Sequence, residues 1–198
     1  LAWTTTAWTL PGNVALAVGK GIAYGVYEKD GEQVIVAVNR AEALGLSEPK
    51  KTISGEELLG KKYKPLFGFL PALANETEKP KFEKAYQVYA ADFVTTEEGT
   101  GVVHTAVMYG ADDFELGTSI GLPKVHAVGA DGKFISGTGY LEGRFVKEQD
   151  DNGKPTLAVE IIDDLKSRGL YFSQENYKHT YPFCWRCKTP LIYYARDS

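Results

Sequence analysis

No apolar run in this chain approaches the roughly 18 residues that a membrane span needs, so a transmembrane helix is excluded. Cysteine is scarce, with two in 198 residues. Both sit in Cys184-Trp185-Arg186-Cys187, a spacing too short for a long-loop disulfide and suited to metal or redox chemistry in a reducing compartment. Positive charge is also in short supply: 22 Lys and Arg against 26 Asp and Glu leave a net charge of −4. Binding to phosphates draws its strength from basic side chains releasing counterions, so any RNA partner must be held mainly from elsewhere. There is no initiator Met, basic leader, internal repeat or low-complexity tract, and the expectation is a segment of something larger. No arrangement of serine or cysteine with histidine suggests a side-chain nucleophile.

What is present is enough for a core. At 43% hydrophobic and 24% charged, the composition predicts one packed unit with at most a small appendage.

The chemistry gathers in residues 99–113, Gly-Thr-Gly-Val-Val-His-Thr-Ala-Val-Met-Tyr-Gly-Ala-Asp-Asp. Gly99 and Gly101 suit a tight turn, and an apolar strand then carries His104 to its far end. Gly110 suits a close approach of backbone to ligand and releases the chain into a helix with an acidic first turn. Such an order can bring a histidine and a carboxylate to one mouth. A lone strand histidine is ordinarily a satisfied structural residue, and an Asp in a first helical turn ordinarily complements the macrodipole.

Elsewhere the pattern predicts a β-rich scaffold. Residues 1–9 are β-branched and aromatic and read as extended, with Thr4 and Thr6 on one face and Thr5 on the other. Leu10-Pro11-Gly12-Asn13 reads as a turn and 14–18 as a buried strand. Asp30-Gly31 predicts a hairpin joining 22–28 to 33–38, residues 39–44 a helical turn, and Ser54-Gly55-Glu56-Glu57 a capping box. Residues 61–84, with three prolines and six lysines, read as a surface excursion with solvated charges. Residues 86–93 resume an extended pattern, 124–128 and 133–135 form a second hairpin, and 170–180 are strand-like. The best helix lies in 155–169, with Leu157, Ile161, Ile162 and Leu165 on one face.

Three blocks together, Trp3-Thr4-Thr5-Thr6-Ala7-Trp8-Thr9-Leu10-Pro11-Gly12-Asn13, residues 99–113 and residues 181–195, resemble the editing domain of isoleucyl-tRNA synthetases. The resemblance runs from the first residue almost to the last. It implies an α+β fold with a β-barrel core and peripheral helices, of the class I synthetase editing type. The whole of 1–198 would be one domain, with 181–198 leading back toward the synthetase body. The implied activity is hydrolysis of valine from mischarged tRNA(Ile), and of valyl-adenylate, by a positioned water. That activity is a second sieve, needed because one methylene discriminates by only about 1–3 kcal/mol, a magnitude for which this synthetase is itself the standard illustration.

By resemblance, Asp113 binds the substrate α-ammonium group and His104 shapes the side-chain pocket. Thr4, Thr5, Thr6 and Asn13 hold the terminal adenosine and the water, with Thr5 and Thr6 nearest the chemistry. Two departures are visible: Ala7 stands where proline is usual, and Val107-Met108-Tyr109 replaces a proline-containing run. No cofactor is implied for editing. Cys184 and Cys187 match half of a structural zinc site completed, in family members that have it, from the synthetase body. The implied partners are the tRNA acceptor end and the rest of the synthetase, with no membrane, in a cytoplasmic and monomeric setting. Valyl or leucyl counterparts, and a non-catalytic tRNA-binding barrel, are the competing readings.

Overall fold

The computed structural model describes residues 1–175, 183–188 and 190–196. Residues 176–180 of the expected strand at 170–180 lie outside the described residues, and 170–175 form no strand.

Two three-stranded sheets carry the fold. The first hairpin forms as its Asp-Gly turn dictates: β2 (Ala23–Lys29) and β3 (Glu32–Ala37) pair antiparallel. Asp30 and Gly31 turn between them at φ 52° and 85°, the left-handed pair that matches strand twist. β4 (Lys51–Ser54) adds to the other edge of β2 and ends in the expected capping box, in which Ser54 N–H donates to Glu57 at 3.0 Å.

In the other sheet β1 (Ala15–Val18) lies between β5 (Gln87–Ala90), parallel to it, and β6 (Val102–Thr105), antiparallel. Among the described residues the strands pair as these two open sheets, so the α+β class holds, while the expected barrel closure is not traced by strand pairing.

The two sheets are tied at the turn before β6. Tyr24 Oη donates to Gly101 O at 2.6 Å and Ala37 N–H to Thr100 O at 2.8 Å. Gly101 sits at φ +74°, and a Cβ there would lie 2.6 Å from the Ala37 Cβ. Both facts require glycine. Gly101→Ala is therefore expected to destabilise the chain by about 2–4 kcal/mol, read as a lowered denaturation midpoint.

α3 (Leu157–Ser167) appears where its period put it, with Leu157, Ile161 and Leu165 buried. It packs on a 3₁₀ turn at Ala7–Gly12. That turn corrects the extended reading of 1–9. Trp3 does bridge to Val103, but from Ala7 onward the chain coils, because the Thr9 N–H and hydroxyl both close onto Thr6 O at 3.1 and 2.8 Å.

The excursion at 61–84 is corrected too. Leu70, in the short helix α1 (Leu70–Leu73), is 1% exposed, and Leu66, Phe67, Phe69 and Phe82 pack against the main core. Arg168 at the end of α3 pins it, donating to Leu66 O at 2.7 Å and lying over the Phe67 ring. Two of its lysines are paired locally, Lys79 with Glu76 and Lys81 with Glu78, and Lys84 reaches the distant Ile120 carbonyl.

Candidate functional site

The register between β1 and β6 sets Leu16 opposite His104 and Ala15 opposite Thr105, with Val14 N–H on Thr105 O at 3.0 Å. Asn13, just before β1, is thereby delivered to His104. Its Nδ2 donates to Ala15 O at 2.9 Å and to His104 Nδ1 at 2.8 Å. On the other side of the ring, Nε2 meets Thr9 Oγ1 at 3.1 Å.

These partners define the tautomer. The single Thr9 hydroxyl proton goes to Thr6 O, so Thr9 Oγ1 accepts from His104 Nε2–H, and Nδ1 is left to accept from Asn13. Both ring nitrogens are engaged, and the ring is 6% exposed. Burial holds its pKa down at about 4, against a small opposing pull from the bond with Thr9. A neutral, doubly bonded imidazole shapes and positions, and it has no free nitrogen with which to take a proton from water.

Thr4, Thr5, Asn13 and His104 line one cavity of about 430 Å³, whose other walls include Leu16, Ile162, Leu165 and Tyr171. Ile162 and Leu165 thus face this cavity while their helix neighbour Ile161 is fully buried in the core. Thr6 does not line it. Thr5, Thr6 and Ala7 form one wall of a second cavity of about 450 Å³, across from Glu148, Gln149 and Ala158. The threonines therefore do not alternate as a strand would place them. Thr4 Oγ1 folds back onto the Thr6 backbone, accepting from its N–H at 3.1 Å and donating to its carbonyl at 3.2 Å. Thr5 Oγ1 and Thr6 Oγ1 stand 3.4 Å apart at the exposed edge.

Asp113 sits in the first turn of α2 (Ala111–Ile120), half-buried, its Oδ2 accepting from Ala106 N–H at 3.0 Å. Ala106 is two residues beyond His104, which along a strand is a rise of about 7 Å. Asp113 thus closes the same end of β6 as His104 but is not among the residues lining the 430 Å³ cavity. The expectation that both would face one pocket is met only at the level of that shared strand end. Burial raises the Asp113 pKa to about 6, with the Ala106 N–H opposing and the neighbouring Asp112 adding to the rise. Gly110 does allow a close approach, but to this carboxyl: a Cβ there would lie 2.9 Å from Asp113 Oδ2.

Two further residues, Thr9 and Tyr63, take part in this cluster. Thr9 lies three residues after Thr6, the spacing of a 3₁₀ turn, and could have been found. Tyr63 could not: its hydroxyl donates to Asn13 Oδ1 at 2.5 Å across a separation of 50 residues.

Cys184 is half-buried and Cys187 exposed. Among the described residues no group of three or more His, Cys, Asp and Glu could hold a metal. Two thiolates fit a tetrahedral zinc only as half of its ligand set.

The fold of two small three-stranded sheets is like that of a solved CP1 structure. The solved structure GlLeuRS-CP1 aligns with 88% of this chain and 83% of its own length at TM-score 0.63 and 16% identity.

The sequence comparison is narrower. Along its whole length the chain matches isoleucine-tRNA ligases, being 43% identical over 200 residues to the Clostridium novyi enzyme and 42% over 210 to that of Treponema denticola. A Dehalococcoides mccartyi enzyme is 42% identical over 209 residues. All of the chain is matched in each case, and it spans 18% to 20% of the length of these relatives. It therefore corresponds to one segment of those ligases. No family model matches it, and no described helix is long and apolar enough to cross a membrane.

Proposed function

We propose that this segment hydrolyses the ester joining valine to the terminal adenosine of tRNA(Ile), and valyl-adenylate, while excluding isoleucine. The observation that supports this best is the 430 Å³ cavity in which Thr4, Thr5, Asn13 and His104 meet, in a chain that matches isoleucine-tRNA ligases along its whole length.

Each residue then has a task it is suited to. Ionised Asp113, at the His104 end of β6, receives the α-ammonium group of the substrate in a charge-assisted bond. The neutral His104 ring forms a rigid part of the side-chain wall. The hydroxyls of Thr4, Thr5 and Thr6 hold ribose and water. Backbone N–H groups of the same segment stabilise the oxyanion as water attacks the ester carbonyl. The acyl carbon–oxygen bond then breaks: a proton of the attacking water passes to the departing ribose oxygen, valine is freed with a carboxyl group, and from valyl-adenylate the phosphate oxygen is the one that leaves. The rest of the synthetase holds the tRNA, since this segment is net acidic.

The test is deacylation by the synthetase that carries this segment. Valyl-tRNA(Ile) is expected to lose its amino acid at least about 100-fold faster than isoleucyl-tRNA(Ile), the scale that one methylene clash in a tight pocket produces. Equal rates, or faster loss from threonyl-tRNA(Val), reject the assignment.

A further inference from the structure

Tyr63 lies in none of the sequence blocks that point to the site, yet its phenol is part of it. Its backbone N–H is fixed on Tyr86 O at 2.9 Å, and its ring stands edge-on to Tyr86 with centroids 6.1 Å apart at 83°. Burial pushes its hydroxyl far above the ordinary phenol range, which keeps it a permanent donor.

We infer that Tyr63 is a positioning residue: its phenol holds the Asn13 amide with Oδ1 outward and Nδ2 toward His104, and so keeps the imidazole proton on Nε2. This rests on the hydrolytic reading above for its consequence, although not for its geometry.

The hydrogen bonds run in one direction. Tyr63 donates to Asn13 Oδ1, Asn13 Nδ2 to His104 Nδ1, His104 Nε2–H to Thr9, and the Thr9 hydroxyl to Thr6 O. A turned amide would set its oxygen against both Ala15 O and the Nδ1 lone pair, and relief would require the ring proton to move to Nδ1. Nε2 would then accept the hydrogen bond of the Thr9 hydroxyl, and Thr6 O would lose its shortest donor, keeping Thr9 N–H and Thr4 Oγ1. Thr6 belongs to the wall shared with the second cavity, so the orientation of one amide is transmitted to the threonines that hold water and ribose.

Two variants and two measurements decide this. In the synthetase carrying this chain, Tyr63→Phe is expected to lower kcat for valyl-tRNA hydrolysis about tenfold with KM unchanged, the effect of misplacing one hydrogen bond in the transition state. In this chain labelled with ¹⁵N-histidine, wild-type His104 is expected to show the Nε2–H tautomer and Tyr63→Phe a mixture. Asn13→Asp keeps an acceptor for Tyr63 but offers no donor to Nδ1, and is expected to place a proton on Nδ1 with Tyr63 untouched. A lower melting temperature in Tyr63→Phe with kcat and both His104 nitrogen shifts unaltered overturns the inference. If the wild-type synthetase leaves valyl-tRNA intact, the hydrolytic reading fails, and the nitrogen shifts still decide the role of Tyr63.

Discussion

Asp113→Asn is expected to lower valyl-tRNA hydrolysis at least about 100-fold while making the chain more stable, because in the proposed reading the carboxylate binds the substrate ammonium group while its burial costs stability. Burial favours its neutral form, and the folded-state pKa of about 6 lies above the ordinary 3.8. Between these values the folded state binds more protons than the unfolded one, so ionisation of Asp113 lowers stability as pH rises from 4 to 6 and keeps it lowered above. Asn fits the same space and can still accept from Ala106 N–H. At pH 7.5 the gain is expected to be about 1–2 kcal/mol, discounted for partial exposure, and it should vanish at pH 4.

His104 titrates with the opposite sign. Its folded-state pKa of about 4 lies below the ordinary 6.5, so its contribution to stability is present above pH 6.5 and is lost as pH falls toward 4. The two residues oppose each other between pH 4 and 6, and removing the carboxylate should expose a steeper acid loss. Chemical denaturation across this range checks the stability claim. The wild-type hydrolysis rate should also climb as pH rises through 6, when Asp113 gains the charge that an ammonium group requires. A variant that is as active as wild type, or less stable at pH 7.5, contradicts the role given to Asp113.

The second large effect is expected from His104→Ala. Truncation removes a buried ring and leaves Asn13 Nδ2 and Thr9 Oγ1 each short of a partner, which together cost about 2–4 kcal/mol. It also enlarges the cavity that the ring lines. Isoleucyl-tRNA should then be cleaved, narrowing the preference for valine from about 100-fold to below about tenfold. Single-turnover deacylation of both esters measures this. If isoleucyl-tRNA stays as resistant as before, the ring is not part of the steric filter.

The parts legible in the sequence were those governed by neighbours along the chain. Asp30-Gly31 announced its hairpin because only a left-handed pair matches strand twist, and 155–169 announced α3 through its 3.6-residue period. His104 and Asp113 could be placed on a strand end and a helix start from glycine spacing alone.

The illegible parts depended on contacts over long separations. Nothing local says that Tyr63, in a proline-rich and lysine-rich stretch, should reach Asn13, nor that Leu66 to Leu70 should turn inward under Arg168. The Thr4 to Thr6 run read as a strand because β-branched residues favour one. The Thr9 hydroxyl competes for Thr6 O and coils the chain instead, which sends Thr6 to a different cavity from Thr4.

The most direct measurement is a structure of the synthetase carrying this segment, bound to a non-hydrolysable valyl-adenosine analogue. The account predicts the valyl side chain against His104 and Leu16, the ribose on Thr4 to Thr6, and the ammonium group within hydrogen-bond distance of the Asp113 carboxylate. An analogue seated away from the His104 cavity, or an ammonium group with no contact to Asp113, would contradict it.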